Sequence, residues 1–538
     1  MGGRLIPWEK IDALIEPLCK PDEPGCALGV FKHGRAIYMK GYGSKRAGQR
    51  DPIGSRTVFN LGSVSKQFTA FGILLLQEQG RLSLEDDFRK HLPEFGLAYR
   101  GIKIRHLLHH SSGLISLEDL YWGAADAHEW KPGTLAHLRQ LAARKERNFK
   151  AGDEFCYCND GYLLLAHIIR RRSNMEFDDF LKVRIFRPLG MGSTRVVDRD
   201  GLCIPELAQG HRFVKKAWQP APKLFYTPGP GDIHSTVEDL GRWERSLCER
   251  SLAGPSVYRA QERRAKVGRS LPTDAGYAAG LILTTFMKRY RCVWHNGADT
   301  GIHSALYRLP GQGLCVALLW NRGWDGPSTK MDGALMRRLL DLPEPKPGPK
   351  GRVLPKAMAK AAGIYEGVDH PGVVELQPEK KGFKLGCGWP MDMAWLGQGR
   401  LSGSIGNGQW PYTLKPGPGA AWTLTQRHQG KPARRYRRTG EAQDQVPGMA
   451  ALVGRYQDPG KHWKFSILRK RNQIFFRDAH NYGQPDGRLR FMAPDRLFFE
   501  WAGGYLQIEK NARGRVLALW STWPEGRIKR IRCAKVAA

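Results

Sequence analysis

A proline-rich stretch divides this chain into two parts with different periodicity. Residues 341–356, DLPEPKPGPKGRVLPK, contain too much proline to join a core and are expected to form an extended, semi-rigid linker. Before the stretch, segments with helical spacing of apolar residues stand between strand-like runs. Beyond it, short strands alternate with Gly, Pro, Asn and Asp turns. We therefore predict a mixed α/β (α+β) domain over residues 1–340, followed by an all-β region.

The strand-like runs of the first part lie near its two ends. GCALGVFKHGRAIYMKGYG, from residue 25, predicts a hairpin, and RCVWHNGA and GLCVALLW predict two strands late in the domain. Helical patterns fill the space between them, and an amphipathic pattern from Trp8 to Leu18 precedes the hairpin. One helix is expected to open at Ser63 and another at Ser235, which forms a capping-box pattern with Glu238. The simplest arrangement is one sheet built from both ends, with helices between.

The all-β region contains a faint duplication. AGIYEG at 362–367 and VGRYQD at 453–458 each open a segment that closes on alternating basic and apolar residues. Each segment has room for about eight short strands, which is enough for a small closed barrel. The sequence therefore predicts two antiparallel β-barrels, over residues 357–445 and 446–538.

Charge and apolar content exclude some partners. The formal net charge is +34, but the basic residues are spread along the chain and no recognised nucleic-acid module is present, so no specific nucleic-acid function is expected. There is no apolar run of about eighteen residues, so no membrane span is expected. The first residues also lack the apolar segment of a secretory signal.

The cysteines argue against a metal or disulfide scaffold. The ten cysteines are scattered, with no C-x-x-C pair, so neither a zinc site nor a disulfide framework is indicated. Reduced thiols fit a cytoplasmic protein best.

The most informative short motif is S-x-x-K at residues 63–66. Ser63 could simply cap the apolar helix that follows, with Lys66 solvated. Alternatively, Ser63 is a nucleophile and Lys66 the base that takes its proton, since residues one helical turn apart share a face. The motif is short and occurs by chance, so it does not decide between these alternatives.

Two further motifs are ambiguous when taken alone. Tyr157 and Asn159 form Y-x-N just before an apolar helix, where a tyrosine between two thiols could belong to the core. His295 and Gly297 form H-x-G, where a strand runs into a glycine-containing turn.

Taken together, S-x-x-K, Y-x-N and H-x-G resemble the three motifs of the serine β-lactamase and penicillin-recognising family, including its S12-type peptidases. The segments IRHLLHHSSGL, RPLGMGST and STVEDLGRW are similar to the family's connecting segments, and the resemblance covers about residues 10–335. It implies a β-lactamase-like catalytic domain that works through an acyl-enzyme without metal or organic cofactor. The third motif of the family is more often K-T-G, so His295 is a departure.

The resemblance implies a role for each motif residue. Ser63 would carry the acyl group, while Lys66 and Tyr157 would share the proton transfers. Asn159 would orient Lys66 and bind the substrate amide. The backbone N–H groups of Ser63 and Ala298, the residue after Gly297, would form the oxyanion hole. A mostly neutral His295 would fit substrates that have no carboxylate beside the scissile bond.

Within the family, H-x-G together with two β-barrels is most similar to the D-aminopeptidases, which release N-terminal D-residues such as D-Ala from peptides and amides and act as homodimers. The partner implied is a small peptide or amide, and a homodimer is possible. In those enzymes a barrel loop supplies an acid near the substrate's amino group. Here the nearest acids are Glu500 in FFEWAGGYLQ and Asp478 or Asp486 in RDAHNYGQPDG. The alternative is an esterase, β-lactamase, D,D-peptidase or acyltransferase with the same machinery.

A third alternative is not an enzyme. It is a silent binding protein whose barrels hold an anionic polymer, although intact Ser63, Lys66 and Tyr157 argue against it.

Overall fold

The computed structural model describes most of the chain. In the N-terminal part it describes residues 8–116, 135–144, 147–199, 202–214, 216–221, 223, 226–267, 275–287, 289–323 and 328–343. In the C-terminal part it describes 352–368, 373–386, 391–398, 400–405, 408–416, 422–426, 434–440, 449–457, 464–470, 473–478, 487–493, 496–499, 505–512, 516–522 and 530–536. The chain divides into a first unit, Met1–Leu114 with Trp130–Glu344, and a second unit, Ile115–Glu129 with Pro345–Ala538.

The first unit is built on a mixed set of helices and strands. Its helices are α1 Trp8–Ile15, α2 Lys66–Glu78, α3 Ile104–Leu108, α4 Leu135–Ala143, α5 Asn159–Ser173, α6 Phe177–Leu181, α7 Val237–Glu249, α8 Pro255–Gln261 and α9 Ser328–Leu339. Its strands are β1 Cys26–Lys32, β2 Arg35–Tyr42, β3 Phe59–Asn60, β4 Arg195–Val196, β5 His211–Val214, β6 Ala217–Pro220, β7 Ile233–Ser235, β8 Gly276–Tyr277, β9 Ile282–Phe286, β10 Tyr290–Asp299, β11 Ile302–Leu309 and β12 Leu314–Trp320.

The main sheet joins the two ends of this unit, as the sequence predicts. Its strand order is β2-β1-β12-β11-β10-β9-β8, so the N-terminal hairpin lies beside the last strand. β1 pairs antiparallel with β12, with Cys26 opposite Trp320. This arrangement places β10, which carries the H-x-G motif, inside the sheet rather than at its edge.

Helices cover both faces of the sheet. Ile11 and Ile15 of α1 share an apolar cluster with Leu335 of α9 and with residues of β1 and β12. α2 is buried from Lys66 to Leu76, which makes it the central helix of the unit. Trp243 of α7 packs against Phe68 and Phe71 of α2, with ring centroids 4.7 and 5.2 Å apart.

One predicted helix start is wrong by one residue. Ser235 is the last residue of β7, and α7 is capped by Thr236, whose hydroxyl accepts from the backbone N–H of Asp239 at 3.0 Å. The segment contains S-x-x-E and T-x-x-D in overlapping positions, and pairing of β7 with β3 keeps Ser235 in a strand.

The second unit contains two antiparallel barrels, which confirms the predicted fold class. The first comprises α10 Lys356–Ala359 and β13 Gly363–Gly367, β14 Val373–Glu379, β15 Gly382–Gly386, β16 Met391–Gly397, β17 Arg400–Ile405, β18 Gly408–Pro416, β19 Trp422–Gln426 and β20 Arg434–Gly440. The second comprises β21 Gly454–Gln457, β22 Lys464–Lys470, β23 Gln473–Asp478, β24 Gly487–Ala493, β25 Arg496–Phe499, β26 Tyr505–Lys510, β27 Val516–Thr522 and β28 Arg530–Lys535. In each, the first strand pairs with the last and closes the barrel.

The duplication seen in the sequence is repeated in detail at the start of each barrel. Tyr365 and Tyr456 are both fully buried, and each donates its hydroxyl hydrogen to the backbone carbonyl four residues earlier, Ala361 at 2.6 Å and Leu452 at 2.7 Å. Of the predicted linker, residues 344–351 lie outside the described residues. Within the described part of the chain, no helix is long and apolar enough to cross a membrane.

Candidate active site

Ser63 lies in a tight helical turn, Gly62–Ser65, that leads directly into α2. The turn is held from both sides, because Gly62 N–H donates to Asn60 Oδ1 at 2.8 Å and Leu61 N–H donates to the Ile233 carbonyl at 2.8 Å. Leu61 and Val64 are fully buried, whereas Ser63 is only partly buried. The chain therefore anchors the turn through its apolar residues and leaves the serine accessible.

Two glycines let the Ser63 turn approach β10 closely. Gly62 has φ +47°, and a Cβ there would lie 2.8 Å from Ala298 N. A Cβ on Gly297 would lie 2.0 Å from the Leu61 carbonyl oxygen and 2.8 Å from Ser63 N. Any side chain at either position would push the two segments apart. The backbone N–H groups of Ser63 and Ala298 consequently belong to one junction, and their role as an oxyanion hole stays a prediction.

Lys66 is the buried partner of Ser63. Its side chain is fully buried, and Nζ donates to Ser63 Oγ at 3.0 Å and to the Pro230 carbonyl at 2.9 Å. Nζ also lies 4.8 Å from the ring centroid of Tyr157 and 5.6 Å from that of Tyr162. The structure thus brings Ser63, Lys66 and Tyr157 together, and the simple capping explanation does not account for a lysine buried in this way.

Tyr157 and Asn159 enter the site where α5 begins. Tyr157 is partly exposed while Cys156 and Cys158 on either side are buried, so this tyrosine is not a core residue. Asn159 is the first residue of α5 and is buried. Its Oδ1 atom has no hydrogen-bond partner among the described residues.

His295 is a neutral, internally satisfied side chain. It is 2% exposed, and burial together with the charge of Lys66 lowers its pKa to about 3. Nδ1 lies 2.6 Å from the carbonyl of Asn296 and so donates to it, which leaves Nε2 to accept from the Tyr277 hydroxyl at 3.1 Å. With its pKa held this low, His295 brings no positive charge to the site at neutral pH.

An ionic cluster lies beside the junction of the turn with β10. Lys223 Nζ bonds to the carboxylates of Asp232 and Asp299, and Asn60 Nδ2 donates to Asp299 Oδ2 at 3.1 Å. Although burial opposes its charge, these two carboxylates raise the pKa of Lys223. Asp299 directly follows Ala298, so the cluster fixes the end of β10 relative to the segment before Ser63.

The acidic residues predicted to bind the substrate's amino group belong to the second unit. Asp478 is the last residue of β23, where its backbone pairs with Phe465. Glu500 and Asp486 lie outside the described residues. Their role stays a prediction.

Three residues of the site escape sequence reasoning. Pro230 supplies a carbonyl to Lys66, and Tyr277 supplies a hydroxyl to His295. The ring of His110 lies against that of Tyr157, with centroids 4.2 Å apart and the planes tilted by 34°. None of the three lies within a predicted motif, and a backbone carbonyl leaves no trace in the residue pattern. Only His110 stands in a segment that carries a family resemblance, HLLHHSSGL.

Comparison with known families agrees with this geometry. The model of the Beta-lactamase family matches residues 11–341, which is more than half of the chain. The chain belongs to the β-lactamase family. It is therefore a serine hydrolase of the β-lactamase fold, and Ser63, Lys66, Tyr157 and His295 all fall within the matched residues.

The names of similar proteins in the β-lactamase family point to more than one activity. The chain is 27% identical over 340 residues to "Penicillin-binding protein 4*" of Bacillus subtilis, which covers 61% of this chain and 74% of that protein. It is 27% identical over 303 residues to the "D-aminopeptidase" of Gluconobacter oxydans, covering 55% of this chain and 56% of that protein.

Solved structures show the same fold at low sequence identity. The octameric penicillin-binding protein homologue from Pyrococcus abyssi aligns with a TM-score of 0.56 and 22% identity, covering 88% of this chain and 96% of that one. The D-amino acid amidase from Ochrobactrum anthropi aligns with a TM-score of 0.52 and 22% identity, covering 62% of this chain and 97% of that one.

Proposed function

We propose that this protein is a D-aminopeptidase-like hydrolase that releases N-terminal D-amino acids from short peptides and amides through an acyl-enzyme on Ser63. One observation carries the proposal: the amine nitrogen of a buried lysine lies 3.0 Å from the Ser63 hydroxyl oxygen and against the ring of Tyr157. A serine whose only role was to cap a helix would not need such a partner.

The reaction follows from these positions. Ser63 Oγ attacks the substrate carbonyl carbon and its proton passes to the Lys66–Tyr157 pair, which returns it to the departing amine as the C–N bond breaks. Water then hydrolyses the ester on Ser63 by the reverse proton route. The N–H groups of Ser63 and Ala298 hold the oxyanion, and loss of such a donor typically costs on the order of a hundredfold or more in rate. The buried Oδ1 of Asn159 accepts an N–H from the substrate.

The neutral His295 supports a substrate without a carboxylate next to the scissile bond. A permanent cation on this strand would attract such a carboxylate, and His295, with a pKa of about 3, supplies none. The names of one relative, a D-aminopeptidase, and of one protein with a similar fold, a D-amino acid amidase, support amides of D-amino acids as the substrate class.

Recognition of a free amino group requires an acid that is not already neutralised. Asp299 is the carboxylate next to Ala298 in the chain, but its oxygens already bond to Lys223, Asn60 and the N–H of Thr300. We propose Asp478 and Glu500 of the second barrel for this role, because the resemblance to the D-aminopeptidases implies an acid from a barrel loop.

A penicillin-recognising D,D-peptidase is the second candidate function. Penicillin-binding protein 4* matches a larger share of its own length than the D-aminopeptidase does, 74% against 56%. That candidate requires recognition of a carboxylate without a lysine in the third motif.

A substrate panel tests the proposal. The purified full chain is given D-Ala and L-Ala p-nitroanilides and amides, the matching esters, a peptide ending in D-Ala-D-Ala and a chromogenic β-lactam, with Ser63→Ala as the blank. We expect turnover of the D-alanyl amides, no turnover of their L-isomers, and none by S63A. Hydrolysis of esters without any amide turnover would contradict the aminopeptidase proposal. Release of the terminal D-Ala from the D-Ala-D-Ala peptide would favour the second candidate.

A further inference from the structure

We propose that His110 is a positioning residue for Tyr157, and this rests on the proposed role of Tyr157 in proton transfer. His110 contacts the Tyr157 segment at three points. Its carbonyl accepts from Cys156 N–H at 2.8 Å, its Nδ1 accepts from Cys158 N–H at 3.1 Å, and its ring lies 4.2 Å from the Tyr157 ring. One residue thus holds the backbone on both sides of the tyrosine as well as its side chain.

The backbone of His110 is unusual in a way that serves these contacts. Its φ is +53°, in the left-handed region that side chains other than Asn, Asp and Gly seldom adopt. This conformation directs both the carbonyl and the ring of His110 to the segment 156–158. Residues keep such a conformation when the surrounding structure imposes it, and they concentrate at functional sites.

The His110 ring also links the second motif to the third. It is 1% exposed and lies 4.6 Å from the ring of Tyr277, whose hydroxyl donates to His295 Nε2. It lies 5.0 Å from the ring of Tyr162, the other aromatic face near Lys66 Nζ. A change in the His110 ring would therefore shift Tyr157 relative to both Lys66 and His295.

The expected consequence concerns the leaving group. When an ester acylates Ser63, the bond from Oγ to the carbonyl carbon forms, the bond to the leaving oxygen breaks, and the serine proton passes to the Lys66–Tyr157 pair, which can return it to the leaving oxygen. A p-nitrophenolate leaves readily without the proton, whereas a more basic alkoxide needs it in the transition state. A misplaced Tyr157 hydroxyl should therefore slow acylation by an alkyl ester more than acylation by a p-nitrophenyl ester, since small displacements cost large factors in rate.

The test compares His110→Gly, His110→Asn and a matched control, His33→Gly. Glycine removes the ring but holds a positive φ without strain, and asparagine also tolerates it while offering Oδ1 to Cys158 N–H. His33 is an exposed histidine at φ +50° in the turn between β1 and β2, so H33G makes the same chemical change outside the site. The kcat/KM is measured for the p-nitrophenyl and trifluoroethyl esters of one acyl group, per active site titrated with a phosphonate.

We expect H110G to lower kcat/KM for the trifluoroethyl ester at least about tenfold more than for the p-nitrophenyl ester. H110N should recover most of this difference, and H33G should leave both values unchanged. Equal losses on the two esters, or no loss, would overturn the positioning role. Failure of the wild type to cleave D-alanyl amides would overturn the proposed function, whereas the comparison of the two esters would still decide whether His110 positions Tyr157.

Discussion

The two units of this protein bury different kinds of side chain. In the described part of the chain, nearly all buried polar and charged residues other than tyrosine lie in the first unit, among them Lys66, His110 and His295, and the exceptions in the second are Ser116 and Glu375. The first barrel is filled by an apolar cluster that includes Tyr365, Leu376 and Leu424. Burial of polar groups costs stability unless each one finds a partner. The first unit buries polar groups around the candidate active site, whereas the barrels are organised around apolar cores. This contrast can be tested.

The largest expected effect is on the first unit. Lys66→Met keeps the length and burial of the side chain but removes the group that receives the Ser63 proton, so kcat/KM should fall about a thousandfold or more. Lys45→Met is the matched control, because Lys45 is also a mostly buried lysine but pairs with Asp51 and Glu206. Steady-state kinetics on one ester should show K45M within a fewfold of wild type. Retention of activity in K66M would contradict the assignment of the base.

The next largest effect is expected from substitutions of the acids in the second barrel. If Asp478 or Glu500 pairs with the substrate ammonium, Asp478→Asn or Glu500→Gln should raise KM for a D-alanyl amide about ten- to a hundredfold, since hydrogen bonds to charged groups contribute about 1.5–3 kcal/mol. An ester of the same size without an amino group serves as the control and should be unaffected. Asp486→Asn tests the third acid of the same region. Unchanged KM in all three variants would exclude the barrel acids from amino-group recognition.

Acid should weaken the first unit before the barrels. Burial is the main cause that lowers the pKa of five of its histidines, to about 3 for His295 and about 4 for His106, His109, His234 and His303. Because the pKa values of these histidines in the folded unit lie below the ordinary 6.5, the unfolded chain binds protons at a pH at which the folded unit does not. The contribution of these histidines to the free energy of unfolding is complete above about pH 6.5. It falls toward pH 4, by at most about 1.4 kcal/mol per pH unit per histidine.

Urea titrations at about pH 7 and pH 5, read by pulsed hydrogen exchange and mass spectrometry, follow peptides of each unit separately. We expect the unfolding midpoint of peptides from the first unit to drop more than that of barrel peptides. A His295→Gln variant should show a smaller drop in the first unit. An equal drop in both units would show that buried histidines do not govern the acid response.

The smallest effect compares the barrels with each other. Tyr365→Phe and Tyr456→Phe each leave one buried carbonyl without its hydroxyl partner, so each should destabilise its own barrel by about 1–3 kcal/mol. The same urea experiment should show similar losses at the two sites and no change in kcat/KM. Very different losses would mean that the repeated hydrogen bond does not have the same energetic role in the two barrels.

The comparison also shows what sequence can predict. The sequence predicts the β1–β2 hairpin, α2 and the two barrels, because these elements depend on local periodicity and on turn residues. The S-x-x-K, Y-x-N and H-x-G motifs can each be found in the sequence because the residues of one motif are close together in the chain. That the three motifs come together in space depends on the whole fold. The carbonyl of Pro230, the hydroxyl of Tyr277 and the positive φ of His110 depend on distant packing, and no residue pattern near them encodes it.

Covalent labelling of Ser63 tests the central claim most directly. A serine-directed fluorophosphonate should add one adduct per chain, and peptide mass spectrometry should place it on residues 57–66, the tryptic peptide that ends at Lys66. Ser63→Ala should remain unlabelled, and Lys66→Met should be labelled much more slowly. An adduct on another serine, or labelling of S63A at the wild-type rate, would contradict the account.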